Sequence, residues 1–188
     1  MKGIDLSTNS INYAKKEAQK RNLDIEYVNE NYLEYESDEK FDLVTMIFCD
    51  FCVLSKSQRK TLLTNMKKSM KKDTHLFIDL ITTEMFKTRK ETTNYQFVVQ
   101  DGFWFGEAYH EFKTEFKYED EKVSLDKYVI IRENETTEVY NWLKYFTLEE
   151  IKSEFKENGL EIIEVYSDVA GKEYDESEEI MAIVAKLI

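Results

Sequence analysis

The stretch Lys2-Gly3-Ile4-Asp5-Leu6-Ser7 sets an acidic residue at the carboxyl end of a short apolar strand, with a helix N-cap directly behind it. In nucleotide-binding α/β domains a carboxylate at that place accepts hydrogen bonds from ribose hydroxyls, and it normally follows an earlier strand and a glycine-rich turn. Here the strand of Asp5 is the first element. Two more acids sit at strand ends: Asp50, just past the apolar run Phe41–Phe48, and Asp79, inside Leu76–Leu80. The pattern Cys49-Asp50-Phe51-Cys52 raises a reactive dithiol or half of a zinc site. It opens no clear helix, no second cysteine pair exists, and the only histidines are His75 and His110, so no metal site is expected.

The elements that must position these residues alternate in the first half. A helix is expected from Ser7 to Arg21, with Ile11, Ala14 and Ala18 at helical spacing, and then a short strand over Ile25–Val28. The run Phe41–Phe48 is apolar enough for a strand covered on both faces. A helix over Ser57–Met70, with Leu62, Leu63, Met66 and Met70 on one stripe, leads into a strand at Leu76–Leu80. Strands separated by helices predict a parallel sheet with right-handed crossovers.

The rhythm changes between Tyr95 and Phe146. Four aromatic and β-branched stretches, Phe103–Phe105, Phe112–Tyr118, Val123–Arg132 and Thr136–Phe146, are separated by short turns and predict an antiparallel meander. Thr147-Leu148-Glu149-Glu150 is a capping box and Gly159 a helix stop, so a helix is expected over Leu148–Asn158. Leu160–Tyr166 and Glu179–Ile188 follow as strands paired antiparallel at the sheet's edge.

Composition narrows the function. The chain has 188 residues, 42% hydrophobic and 14% aromatic, enough for one well-buried core. Its net charge of −12 argues against nucleic acid and against anionic membrane surfaces. Lys67, Lys68, Lys71 and Lys72 form the one basic cluster, read as the close of a helix where cations complement the macrodipole. No apolar run reaches a membrane span and no leader pattern is visible, so a cytoplasmic protein with a small-molecule ligand is expected.

The segments Gly3-Ile4-Asp5-Leu6-Ser7, Asn31-Tyr32-Leu33, Lys40-Phe41-Asp42-Leu43-Val44, Cys49-Asp50-Phe51 and Phe77-Ile78-Asp79 together resemble the S-adenosylmethionine-dependent class I methyltransferases. Gly102-Phe103-Trp104, Tyr140-Asn141-Trp142 and Asp168–Lys172 look like a small-molecule branch of that family with an antiparallel insertion. The resemblance implies an α/β fold: a Rossmann-like, mostly parallel sheet with helices on both faces, its first strand missing, plus an antiparallel β-sheet insertion. One domain, 1–188, would carry a lid at 95–146. It also implies S-adenosylmethionine as cofactor, with Asp5 on the ribose hydroxyls, Ile4 and Leu6 lining the adenosine pocket, and Asn31 and Tyr32 beside the adenine. Cys49 and Phe51 would border the cofactor at the edge of the cleft.

Methyl transfer needs the acceptor held in line with an already activated methyl group, and aromatic walls can stabilise the cation. Phe51, Trp104, Tyr109 and Trp142 are the candidate walls, with Asp79 either lining the acceptor site or bonding the backbone of the inserted sheet. Asp50 and His110 are the candidate bases for a hydroxyl, amine or carboxylate acceptor. Two departures from the family pattern stand out. The glycine-rich Gly-x-Gly-x-Gly turn and its strand are not found, and Lys71–Thr74 replaces the usual proline-glycine-glycine. Either the strands flanking the missing one close up, or another chain completes the sheet, or the protein starts upstream of Met1. The expectation is therefore methyl transfer to a small-molecule acceptor by in-line displacement. Two alternatives remain open: a truncated, non-catalytic relative stabilised by self-association with weak cofactor binding, and a small-ligand module built on the inserted sheet.

Overall fold

In the computed structural model, which describes residues 1–188, the chain opens as the alternation predicts. Strand β1 (Lys2–Asp5) runs into helix α1 (Thr8–Lys20) and strand β2 (Glu26–Asn29) lies parallel to β1. Ser7 caps α1 by accepting the Ser10 N–H at 3.2 Å, and the helix buries Ile11 and Ala18. Strand β3 (Phe41–Met46) is followed by a single 3-10 turn at Asp50–Val53, helix α2 (Lys56–Lys68) and strand β4 (Met70–Ile81), parallel to β3. Ser55 and Gln58 close a capping box at the start of α2, one residue earlier than expected, and the helix ends at Lys68, two residues short of Met70.

The strand β4 is longer than its apolar centre predicts, and this corrects the reading of the lysine cluster. Lys67 and Lys68 sit in the last turn of α2, but Lys71 and Lys72 belong to β4. Thr74 draws the polar segment into the ladder: its Oγ1 accepts the Lys71 N–H at 2.6 Å and donates to the Phe41 carbonyl. Lys71 then pairs with Asp42 at 2.6 Å.

Helix α3 (Thr83–Thr88) leads to a second sheet, β5 (Thr92–Val98), β6 (Tyr109–Tyr118), β7 (Val123–Arg132) and β8 (Glu135–Lys144), antiparallel throughout in that order. The meander was expected, but its first strand is Thr92–Val98, and Phe103–Phe105 lies in the loop before β6. That loop turns back on itself, with the Gly102 N–H bonded to the Phe105 carbonyl at 3.1 Å. Gly102 allows this because a Cβ there would lie 2.3 Å from the Tyr109 hydroxyl.

Helix α4 (Leu148–Glu157) carries the predicted Thr147–Glu150 capping box and stops at Gly159, whose φ is +75°. Strands β9 (Leu160–Tyr166) and β10 (Ile180–Leu187) pair antiparallel, and β10 also pairs antiparallel with β4, giving the order β3-β4-β10-β9. Thus β10 is interior, and of the two strands β9 alone is at an edge. The main sheet is less parallel than expected: β1–β2 and β3–β4 are parallel, β4–β10 and β10–β9 antiparallel, and β1–β2 forms a ladder separate from β3. A loop at 167–179 is enough to reverse direction, whereas a parallel return would need a crossover.

The core lies on this four-stranded sheet. Leu76, Ile78 and Leu80 of β4 and Met181, Ile183 and Ala185 of β10 are fully buried, as are Leu63 of α2 and Ile151 and Phe155 of α4. Arg59 of α2 and Glu154 of α4 join the two helices by a bidentate pair at 2.6 and 2.9 Å, and Arg59 also donates to the Leu54 carbonyl at 2.7 Å. Arg89, just after α3, fastens the second sheet: it donates to the Tyr145 hydroxyl at 2.7 Å, to Glu115 at 2.9 Å and to Asp126 at 3.2 Å. No helix is long and apolar enough to cross a membrane.

Candidate active site

At the carboxyl end of β3 the backbone makes an unusual turn. Phe48 and Cys49 are both in the left-handed region, with φ of 81° and 60°. Non-glycine residues there cost of order 1–3 kcal/mol each and persist only where neighbours over-determine them. Asp79 supplies the restraint. Its carboxylate, one residue from the end of the apolar centre of β4, accepts the Phe48 N–H at 3.1 Å and the Cys49 N–H at 2.8 Å, with the Cys49 Sγ at 3.7 Å. The parallel β3–β4 register, which sets Met46 against Ile78, delivers Asp79 to this turn. The turn leaves Phe48 91% exposed, so its ring projects from the end of the sheet.

The charges converge here. Asp50, half-buried at the start of the 3-10 turn, is held above the usual carboxylate range by burial and by the nearby negative charges of Asp5 and Asp79. Tyr32 is raised by burial and by the same neighbours, Asp50 and Asp5. Asp5, Tyr32, Asp50 and Asp79 therefore share one electrostatic environment at the carboxyl ends of β1, β3 and β4. Cys49 is pushed well up by burial and then by Asp79, and Cys52, whose Sγ accepts the Ile81 N–H at 3.2 Å, is pushed up to about 12 by burial. Both stay thiols at neutral pH.

The loop after β1 is built to hold Asp5. One carboxylate oxygen accepts the Ser7 N–H at 2.7 Å, while Asn29 donates to the carbonyls of Asp5 and Leu6 at 2.9 and 2.8 Å and accepts from Thr8 at 2.7 Å. The second oxygen, Oδ2, carries no protein hydrogen bond and is open to a hydroxyl donor. Ile4 is partly buried beside it and Leu6 is exposed. Asn31 spends its side chain locally, accepting the Leu33 N–H at 3.0 Å and donating to Glu34 at 3.3 Å. Asn29 was not singled out from the sequence; an asparagine at a parallel strand end opposite Asp5 was the available signal.

Other candidates fall elsewhere. Phe51 is fully buried, packed against Phe146 and Phe155 and beneath Arg59, so it belongs to the core and not to a cleft wall. The 3-10 turn causes this by folding Phe51 inward where an extended strand end would have presented it. Trp104 donates from Nε1 to Glu111 at 2.6 Å and meets Tyr128 edge-on, and Tyr109 is buried under the same loop. His110 and Trp142 lie on the opposite face of the inserted sheet: His110 meets the Tyr95 hydroxyl at 2.8 Å and Trp142 stacks near Tyr118. Beside Asp79 opens a cavity of about 540 Å³, walled by Asp168, Glu178 and Glu179 with Lys172 as its one cation. Asp168 is held below the usual carboxylate range by the backbone N–H groups of Lys172 and Ala170.

Comparison with known proteins bears on the fold. Residues 1–73 match the family described as a methyltransferase domain. A S-adenosylmethionine-dependent methyltransferase from Clostridium acetobutylicum superposes with a TM-score of 0.74 at 14% identity, covering 99% of this chain and 74% of the other. The chain has the methyltransferase fold. The CcbJ methyltransferase from Streptomyces caelestis gives a TM-score of 0.72 at 13% identity, with 99% and 74% covered. An amino pentose methyltransferase from Micromonospora echinaspora, solved with bound S-adenosylmethionine, gives 0.58 at 14%, with 100% and 73% covered. A sequence search among curated proteins finds no match. In the methyltransferase fold, as in open α/β sheets generally, ligands bind beyond the strand carboxyl ends, and Asp5, Asp50 and Asp79 occupy that edge here.

Proposed function

We propose that the chain is an enzyme that transfers a methyl group from S-adenosylmethionine to a small-molecule acceptor by in-line displacement. The observation that carries this is the convergence of Asp5, Asp50 and Asp79 at the carboxyl ends of β1, β3 and β4, where the charges of Asp5 and Asp79 both bear on Asp50 and Asp79 bonds the Phe48–Cys49 turn. S-Adenosylmethionine, when bound, supplies an electrophilic methyl on a sulfonium cation, and three carboxylates make a potential that favours a cation. The residues fit its ribose end: Asp5 Oδ2 is free for a hydroxyl, and Asn29 and Ser7 fix the loop that presents it. Ile4, Leu6 and Tyr32 would border the adenosine, and Cys49 the turn beside it.

Asp50 is our choice of base. Its raised proton affinity suits removal of a proton from an amine or hydroxyl, and no side chain ties it down. The acidic cavity beside Asp79 favours an acceptor with a basic amine, in keeping with the amino pentose described for one structural neighbour. The inserted sheet would act as the lid over that acceptor.

A second reading has its own observation. The ladders β1–β2 and β3-β4-β10-β9 each end on an unpaired strand, β1 and β3, and no glycine-rich turn lies between them. On this reading the chain alone binds the cofactor weakly and associates with itself. Calorimetric titration with S-adenosylmethionine separates the two. Methyltransferase function predicts binding that falls at least ~10-fold in Asp5→Ala, from loss of a charge-assisted hydrogen bond. Absence of any binding to the wild-type chain up to millimolar cofactor would leave the second reading in place.

A further inference from the structure

Phe48 occupies a backbone position that glycine would fill more cheaply. Its φ of 81° lies in the left-handed region, as does that of Cys49 at 60°. A bulky residue is an outlier there, whereas glycine takes the same conformation without a Cβ clash. Both oxygens of one buried carboxylate are committed to keeping the turn: Asp79 Oδ2 accepts the Phe48 N–H at 3.1 Å and Oδ1 the Cys49 N–H at 2.8 Å. A single apolar side chain on a surface is ordinary. A ring held 91% exposed by a strained and clamped backbone is not, because so little of it packs on the chain that its own burial cannot offset the strain.

The position of that ring is informative. The 3-10 turn that follows folds Phe51 into the core, so Phe48 takes the place at the carboxyl end of β3 that the sequence assigned to Phe51. This edge is strongly negative: the charges of Asp5 and Asp79 both bear on Asp50, and those of Asp5 and Asp50 on Tyr32. Carboxylates alone favour any cation. The face of an aromatic ring adds attraction for a cation that is large and weakly hydrated, and a sulfonium, which has no N–H or O–H to offer a carboxylate, is such a cation. The other candidate rings are committed elsewhere. Trp104 is bonded to Glu111, Tyr109 is buried and Trp142 lies on the far face of the inserted sheet.

We propose that the exposed ring of Phe48 is the wall that receives the sulfonium of S-adenosylmethionine, so that the chain selects the charged methyl donor over its neutral thioether product. This rests on the cofactor reading above and adds to it the residue that tells donor from product. Transfer of the methyl group removes the positive charge from sulfur, and the share of binding that the ring supplies goes with it. The strain at Phe48 is then a cost in the free chain that places a cation-binding face at the strand end.

Calorimetric titration with S-adenosylmethionine and with S-adenosylhomocysteine, the thioether, tests this on the wild-type chain, Phe48→Leu, Phe48→Tyr and Phe48→Gly. The side chain is exposed, so the variants should fold, and thermal unfolding verifies that they do. Phe48→Leu should weaken binding of the sulfonium about 3- to 30-fold and that of the thioether less than ~2-fold, while Phe48→Tyr keeps the wild-type ratio. Phe48→Gly should lose the same selectivity and, with the strain relieved, melt about 2–4 °C higher without ligand. An unchanged ratio of the two affinities in Phe48→Leu, or equal losses for both compounds, overturns the proposal and leaves the cofactor reading standing. A lower melting temperature in Phe48→Gly counts against the strain argument. Binding of neither compound to the wild-type chain overturns the cofactor reading and this proposal together.

Discussion

Asp79 and Asp50 stand two chemical roles apart although both are acids at strand ends. Asp79 is 7% exposed and gathers two backbone N–H groups of a left-handed turn, which makes it a positioning residue for Phe48 and Cys49. Asp50 makes no such bonds and is instead raised by burial and by its acidic neighbours. A raised native pKa means that the folded chain holds the Asp50 proton more tightly than the unfolded chain does. Its contribution is then fully favourable below the unfolded value, near 3.8, and is lost as pH rises through the native pKa. Asp50→Asn should therefore be more stable than wild type at pH 7, by less than about 1 kcal/mol because water screens a half-buried group. The gap should close below about pH 4; urea denaturation at the two pH values measures it, and a variant less stable at pH 7 would contradict the assignment.

At the scale of elements, the hinge of the structure is where helices meet across a buried pair. Arg59 is 6% and Glu154 11% exposed at the side chain, and Arg59 lies over the rings of Phe51 and Phe146. Removing one partner strands the other charge in the core, so Glu154→Ala should lower stability by about 3–5 kcal/mol. Replacing both by apolar residues of similar volume should cost far less. Chemical denaturation of the single and double variants distinguishes the cases. Equal losses would mean that the pair, and not merely the orphaned charge, holds α2 to α4. The Arg89 cluster plays the corresponding part for the inserted sheet, tying Glu115 of β6 and Asp126 of β7 to the end of α3.

Across the whole molecule, stability should be uneven. The two-stranded β1–β2 ladder rests on α1 and buries little beyond Ile11 and Ala18, whereas β4 and β10 are buried between neighbours on both edges. An isolated two-stranded sheet is marginal in water. Native-state hydrogen exchange should show amides of β1 and β2 opening well before those of β4 and β10, with protection at β4 approaching the global value. Uniform protection would indicate that the first ladder is tied to the rest more firmly than its pairings imply. Because Asp5 sits on that ladder, cofactor binding would act most on its least stable part.

The sequence by itself determined what depends on neighbours along the chain. The capped helices at Ser7 and Thr147, the apolar centre of β4, the meander turns and the strand-end acids Asp5 and Asp50 were legible because caps, periodicity and turn residues act within a few positions. Only the tertiary structure decided the rest. That Phe51 turns inward against Phe146 and Phe155, that Lys71 and Lys72 join a strand through the bond from Thr74 to Phe41, and that β10 pairs with β4 all depend on partners more than 25 residues away. How the inserted sheet faces its own domain was decided there as well: Arg89 pairs Glu115 and Asp126 on the face that also buries Tyr109 and Ile130, because a buried charge must be paired.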